Sequence, residues 1–66
     1  MTLSKRDRMI LAMASEGLTS KAIGVNLGIG YHTVENRLTK IYRVMGIEGE
    51  MKRTKACVKA VREGWI

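Results

Sequence analysis

The sequence predicts a small all-α domain of four helices, and three observations carry that reading. There is no Pro and no Phe in its 66 residues, so the core rests on aliphatic side chains, Met and Ala, which favour helix or tolerate it. Apolar residues recur at helical spacing in four successive segments. Glycines stand where those segments end: Gly17, Gly28, Gly46 and Gly64, the residue type that most readily takes the left-handed conformation closing a helix.

The first helix starts at Ser4-Lys5-Arg6-Asp7, which has the form of a capping box: the Ser hydroxyl and the Asp carboxylate would satisfy free backbone N–H groups. Ile10, Leu11 and Ala14, with Met13 beside them, form its apolar stripe, and Gly17 stops it. Arg6 and Arg8 read as solvated charges. Thr19 caps the second helix, which carries Ile23 and Leu27 and ends at Gly28. Lys21 and the hydroxyls of Thr19 and Ser20 stand at its N-terminus, where unpaired N–H groups favour an anion such as phosphate.

Gly28, Ile29, expected to be buried in the turn, and Gly30 separate this helix from a longer one over about Tyr31 to Met45. A bend of roughly 90–120° in so few residues needs a positive φ, which Gly28 supplies, and the small Gly24 lets the helices approach. That is helix-turn-helix spacing. At about 100° per residue, Val34, Leu38, Ile41 and Met45 share the core face of the third helix. His32, Asn36, Thr39 and Arg43 face the other way, with Glu35 and Lys40 on the flanks, a set rich in side chains that read base edges or phosphates.

After Gly46 comes a short acidic loop, Glu48-Gly49-Glu50, and then a fourth helix from about Met51 to Glu63. Trp65 and Ile66 are expected to fold back onto the core, with Trp65 as its largest piece. Ala56, Cys57, Val58, Ala60 and Val61 span an arc wider than one core contact requires. Thr54, Cys57, Val58 and Val61 are therefore candidates for a dimer interface.

Size and charge bound the function. A chain this short buries only about 60% of the surface its unfolded form exposes, so it is one domain over residues 1–66. Twelve Lys and Arg against six Asp and Glu give a net charge of +6, which points to a polyanionic partner, nucleic acid before membrane. The single Cys57 has no disulfide or CxxC partner, and His32 is the one histidine, so no metal site and no cofactor are expected. No export signal or run of about 18 apolar residues occurs, and a cytoplasmic protein is the default. With no carboxylate pair in a cleft, no Ser/His/Asp set and no phosphate-binding glycine loop, neither an enzyme nor a small-molecule site is expected in this domain.

Taken together, these residues resemble the LuxR-type DNA-binding domain from Leu3 to Ile66. Leu3-Ser4, Arg6-Asp7 and Ile10-Leu11 resemble that family's opening pairs. Gly17, Lys21, Ile23, Leu27 and Ile29 fall on its central pattern, Thr33-Val34, Ile41 and Met45-Gly46-Ile47 on its recognition helix, and Arg53, Ala56, Ala60, Gly64 and Ile66 on its last helix. The resemblance implies a four-helix domain that puts its third helix in the major groove of double-stranded DNA and pairs as a homodimer through the fourth. By similarity Glu35, Asn36 and Thr39 would face bases, joined by His32 from the outward stripe. Ser20, Lys21, Thr33 and Lys40, with Arg43, would lie near phosphates. Three departures stand out: Glu35 replaces the usual Lys or Arg, Arg37 replaces the usual His, and about three extra residues precede Arg53.

The family domain usually ends a larger regulator, so the chain is either a stand-alone regulator or a piece of a longer protein. The expected function is a sequence-specific DNA-binding transcription regulator, with RNA polymerase as a further possible partner. The competing reading is a protein-interaction module similar to the fourth region of sigma factors, contacting the transcription machinery.

Overall fold

The computed structural model describes residues 3–66 and contains four helices: α1 (Lys5–Ser15), α2 (Ser20–Leu27), α3 (Tyr31–Met45) and α4 (Lys52–Glu63). The ends of α1 to α3 follow from local chemistry. Ser4 Oγ accepts from the Asp7 N–H at 3.1 Å and Thr19 Oγ1 from the Ala22 N–H at 3.1 Å. Gly28 and Gly46 close α2 and α3 with φ of 72° and 74°. Only half of the expected capping box forms. The Asp7 carboxylate turns away from the Ser4 N–H and accepts from Arg37 of α3 at 3.0 Å, where a full charge is a better partner than an amide.

The α3 helix is the centre of the packing, touching α1, α2 and α4. Its stripe of Val34, Leu38, Ile41 and Met45 is buried against Leu3, Ile10, Leu11 and Ala14 from the α1 region, Ile23 from α2, and Ala56 and Ala60 from α4. Each fully buried aliphatic side chain of this size contributes roughly 1.5–3 kcal/mol relative to exposure. Ala56 and Ala60 have no exposed surface, and their small size lets α4 lie close.

Three details depart from the sequence reading. Trp65 is only partly buried at the core edge and donates its indole N–H to Glu63 at 3.3 Å, while Ile66 stays 46% exposed. An indole N–H needs a polar partner, which keeps the ring at the rim. Ile29 is half-buried rather than buried. The last helix begins at Lys52 after Met51, which takes a left-handed φ of 57°.

The turn between α2 and α3 is set by contact with Gly24. A Cβ on Gly24 would lie 2.5 Å from the Ile29 carbonyl oxygen, while the Ile29 N–H donates to the Gly24 carbonyl at 2.9 Å. That obstacle is backbone and cannot swing aside. We therefore expect Gly24→Ala to destabilise the domain by about 1–3 kcal/mol despite the better helix propensity of Ala. Urea unfolding checks this, and an unchanged or raised midpoint contradicts it.

Candidate nucleic-acid interface

The outward face of α3 is built by the same periodicity that fills the core. Tyr31, His32, Thr33, Glu35, Asn36, Thr39, Lys40 and Arg43 are all exposed, opposite the buried stripe. The Tyr31 and His32 rings lie with centroids 4.1 Å apart and planes tilted by 31°. Thr39 Oγ1 donates to the Glu35 carbonyl at 3.1 Å, which commits its proton and leaves its methyl group and oxygen lone pairs outward.

Two groups of basic side chains differ in what they touch. Arg37 pairs with Asp7 at 3.0 Å, Lys55 donates to the Glu48 carbonyl and Lys59 to the Met45 carbonyl, each at 2.8 Å. These cations hold loops and the end of α3 together. Lys21, Lys40 and Arg43 are exposed and have no hydrogen-bond partner among the described residues. They stand on the two helices of the helix-turn-helix, and their charge is free for a partner.

On one flank of α3 the structure assembles a network that local periodicity does not announce. Ser20 is 8% exposed, and its hydroxyl donates to Glu35 Oε2. Arg53 Nη1 donates to the same Ser20 oxygen at 3.3 Å, and Arg53 Nη2 donates to the Leu18 carbonyl. The α2 and α4 helices do not pack on each other, so the Arg53 side chain spans the gap between them. The Ser20 hydroxyl is thus committed inside the protein, and what α2 leaves open at its N-terminus are the N–H groups of Ser20 and Lys21. Arg53 matches a family position, but nothing local in the sequence assigns it this task. The signal would have been a long cation one turn after the Glu48–Glu50 loop, which can reach across a small domain.

Tyr42 lies beside this network. Burial raises its phenol above the ordinary value of 10.0, Arg53 opposes the rise, and Cys57 and Glu35 add to it.

Thr54, Val58 and Val61 of α4 are exposed and Cys57 is half-buried. Val58 and Val61 line a shallow groove with Ser15, Cys57 and Arg62. At 49% and 70% exposure these two valines form an apolar strip on the side of α4 away from the core.

The sequence model of the luxR family of bacterial regulatory proteins matches residues 1–57. The chain belongs to that family. Its members are DNA-binding regulators and not enzymes. The matched stretch runs from the N-terminus through the middle of α4, so it includes all of α3 and the Ser20–Glu35–Arg53 network but stops before Val58 and Val61. The chain is 37% identical over 62 residues to the transcriptional regulatory protein YdfI of Bacillus subtilis (strain 168), covering 94% of this chain and 28% of that protein. It is 30% identical over 64 residues to the transcriptional regulatory protein DegU of Brevibacillus brevis, covering 97% of this chain and 26% of that protein. The chain thus spans about a quarter of the length of these curated relatives. No solved structure matches it significantly.

The raised Tyr42 value has a stability consequence. A phenol that ionises later when folded contributes stability that is fully present below the unfolded value near 10 and is lost as pH rises through the folded value. We expect stability to fall above about pH 10 and Tyr42→Phe to flatten part of that fall. Urea midpoints at stepped alkaline pH check this, and parallel curves for the two chains contradict it.

Proposed function

We propose that the domain binds double-stranded DNA in a sequence-specific manner as part of a transcription regulator, with α3 in the major groove and two copies paired through α4. One observation carries the reading: the polar face of α3 lies directly opposite its buried stripe, flanked by the exposed cations Lys21, Lys40 and Arg43, which have no hydrogen-bond partner among the described residues. The family, and the likeness to the transcriptional regulatory proteins YdfI and DegU, support the DNA-binding regulator part of this reading. A B-DNA major groove about 12 Å wide admits an α-helix, and α3 has 15 residues.

In this reading Glu35, Asn36, Thr39 and His32 meet base edges. Asn36 offers the donor and acceptor that match adenine, and the Thr39 methyl suits the thymine methyl. Lys21, Thr33, Lys40 and Arg43 meet phosphates. Ser20 contributes through its backbone N–H, since its hydroxyl is engaged by Glu35 and Arg53. Thr54, Cys57, Val58 and Val61 form the contact between copies. Pairing about a two-fold axis would set two α3 helices into successive major grooves, about 34–36 Å apart on a pseudo-palindromic site.

The deciding experiment is the salt dependence of duplex binding. With roughly four to six phosphate contacts per protomer, log K should fall with log salt at a slope of about −4 to −5. A slope near zero in fluorescence anisotropy removes the nucleic-acid reading.

Base and backbone contacts separate by mutation. Asn36→Ala should cost about 1–3 kcal/mol on the best site and relax its sequence preference, whereas Lys40→Ala should weaken all duplexes alike. Equal losses on specific and random DNA for both variants would mean that α3 is turned differently in the groove.

The α4 strip is modest in area, so we expect a monomer or weak dimer in solution and pairing on DNA. Val61→Glu should abolish the two-protomer complex and leave the fold and half-site binding intact. Analytical ultracentrifugation with labelled duplex reads the stoichiometry, and an unchanged complex places the interface elsewhere.

A further inference from the structure

A solvent-exposed Glu normally samples many rotamers, and its charge is out of place on a helix meant for DNA. Glu35 is not free in that way. One carboxylate oxygen accepts from the buried Ser20 hydroxyl, which is itself held by the Arg53 guanidinium at 3.3 Å. Arg53 is anchored in turn on the Leu18 carbonyl. The chain of contacts therefore ties an α3 side chain to α2 and α4, and fixes which way the carboxylate lies.

The other carboxylate oxygen, Oε1, has no hydrogen bond among the described residues. An ionised carboxylate only accepts, so the group it can take in a major groove must be a donor. Guanine presents acceptors there, thymine an acceptor and a methyl, and adenine an acceptor beside its amino group, whereas cytosine presents the N4 amino donor alone. The positive Arg53 behind Ser20 also offsets part of the repulsion between this carboxylate and nearby phosphates.

We propose that Glu35 selects cytosine at one position of the DNA site, and that Ser20 and Arg53 act as positioning residues which hold its carboxylate for that purpose. The inference rests on α3 occupying the major groove.

The test is selection of bound duplexes from a random library, followed by affinities on the selected site with each base at the affected position. The wild-type chain is compared with Glu35→Gln, Ser20→Ala, Arg53→Lys and the Glu35→Gln/Ser20→Ala double variant, each first checked for helical content and urea midpoint. The wild type should prefer cytosine there by roughly tenfold. Glu35→Gln and Ser20→Ala should each lose most of that preference and keep the preferences at other positions. Arg53→Lys retains the charge but not the two-armed fork, and should lose part of it. The double variant should be no worse than Glu35→Gln alone, because Ser20 acts through Glu35. If Glu35→Gln instead tightens every duplex alike with no change in preference, the carboxylate merely repels phosphate and the proposal fails. If Ser20→Ala and Arg53→Lys keep the full cytosine preference, the positioning roles fail. Absence of salt-sensitive duplex binding by the wild type would overturn the DNA reading itself, and this inference with it.

Discussion

The geometry of the domain depends on the closeness of Gly24 to the Ile29 carbonyl. Because no Cβ stands between them, α2 can run directly into the turn, and Gly28 with its φ of 72° reverses the chain within three residues of α3. The angle so created decides which side of α3 meets Ile10, Leu11 and Ile23. Once Val34, Leu38, Ile41 and Met45 are committed to that core, the opposite polar face has no freedom left. A rotation of one residue, about 100°, would expose apolar side chains and bury charge. The rigidity of the outward stripe is therefore a consequence of core packing and needs no contribution from the stripe itself.

Polar contacts then fasten both flanks of α3. On one side Arg37 reaches Asp7 of α1, and on the other Glu35 reaches Ser20 of α2 and, through it, Arg53 of α4. The Arg37–Asp7 pair has side chains 42% and 22% exposed, so solvent screens it and its energetic weight is small. Its effect is directional: it turns the guanidinium toward α1, away from any duplex lying against α3. Arg37, the residue that departs from the family's usual His, is thus explained by an internal partner.

The helices and the turn were legible in the sequence because their causes are local. Caps, left-handed glycines and helical spacing all act within a few residues, so Tyr31 to Met45 could be read off with its buried and exposed faces. The candidate site was legible only as a stripe. The side chains that organise it lie far apart in the chain: Arg37 is 30 residues from Asp7, Ser20 is 15 from Glu35, and Arg53 is 33 from Ser20. Local periodicity carries no information about such pairings. A different cause applies to Trp65 and Ile66: hydrophobicity suggested burial, but the Trp65 indole N–H takes a polar partner in nearby Glu63 at the rim, and Ile66 stays exposed. Met51 takes a left-handed φ at a position where a Gly would be expected, so residue type gave no sign of it.

A net charge of +6 creates a difficulty for any DNA-reading domain, since phosphate attraction is the same for every sequence. Affinity gained that way raises binding to the right site and to all competing sites together. In this chain Arg37 is paired with a carboxylate, and Arg53, Lys55 and Lys59 keep their charge but have hydrogen-bond donors committed to carbonyls or a hydroxyl of the protein. Glu35 adds a negative charge to the outward face of α3. If α3 lies in the groove, a carboxylate there lowers binding to all duplexes by repulsion, and regains it only where a base supplies a donor. The ratio of specific to non-specific affinity then rises even as the non-specific term falls, and that ratio, more than bare affinity, decides whether a small domain finds its site among the many others in a genome.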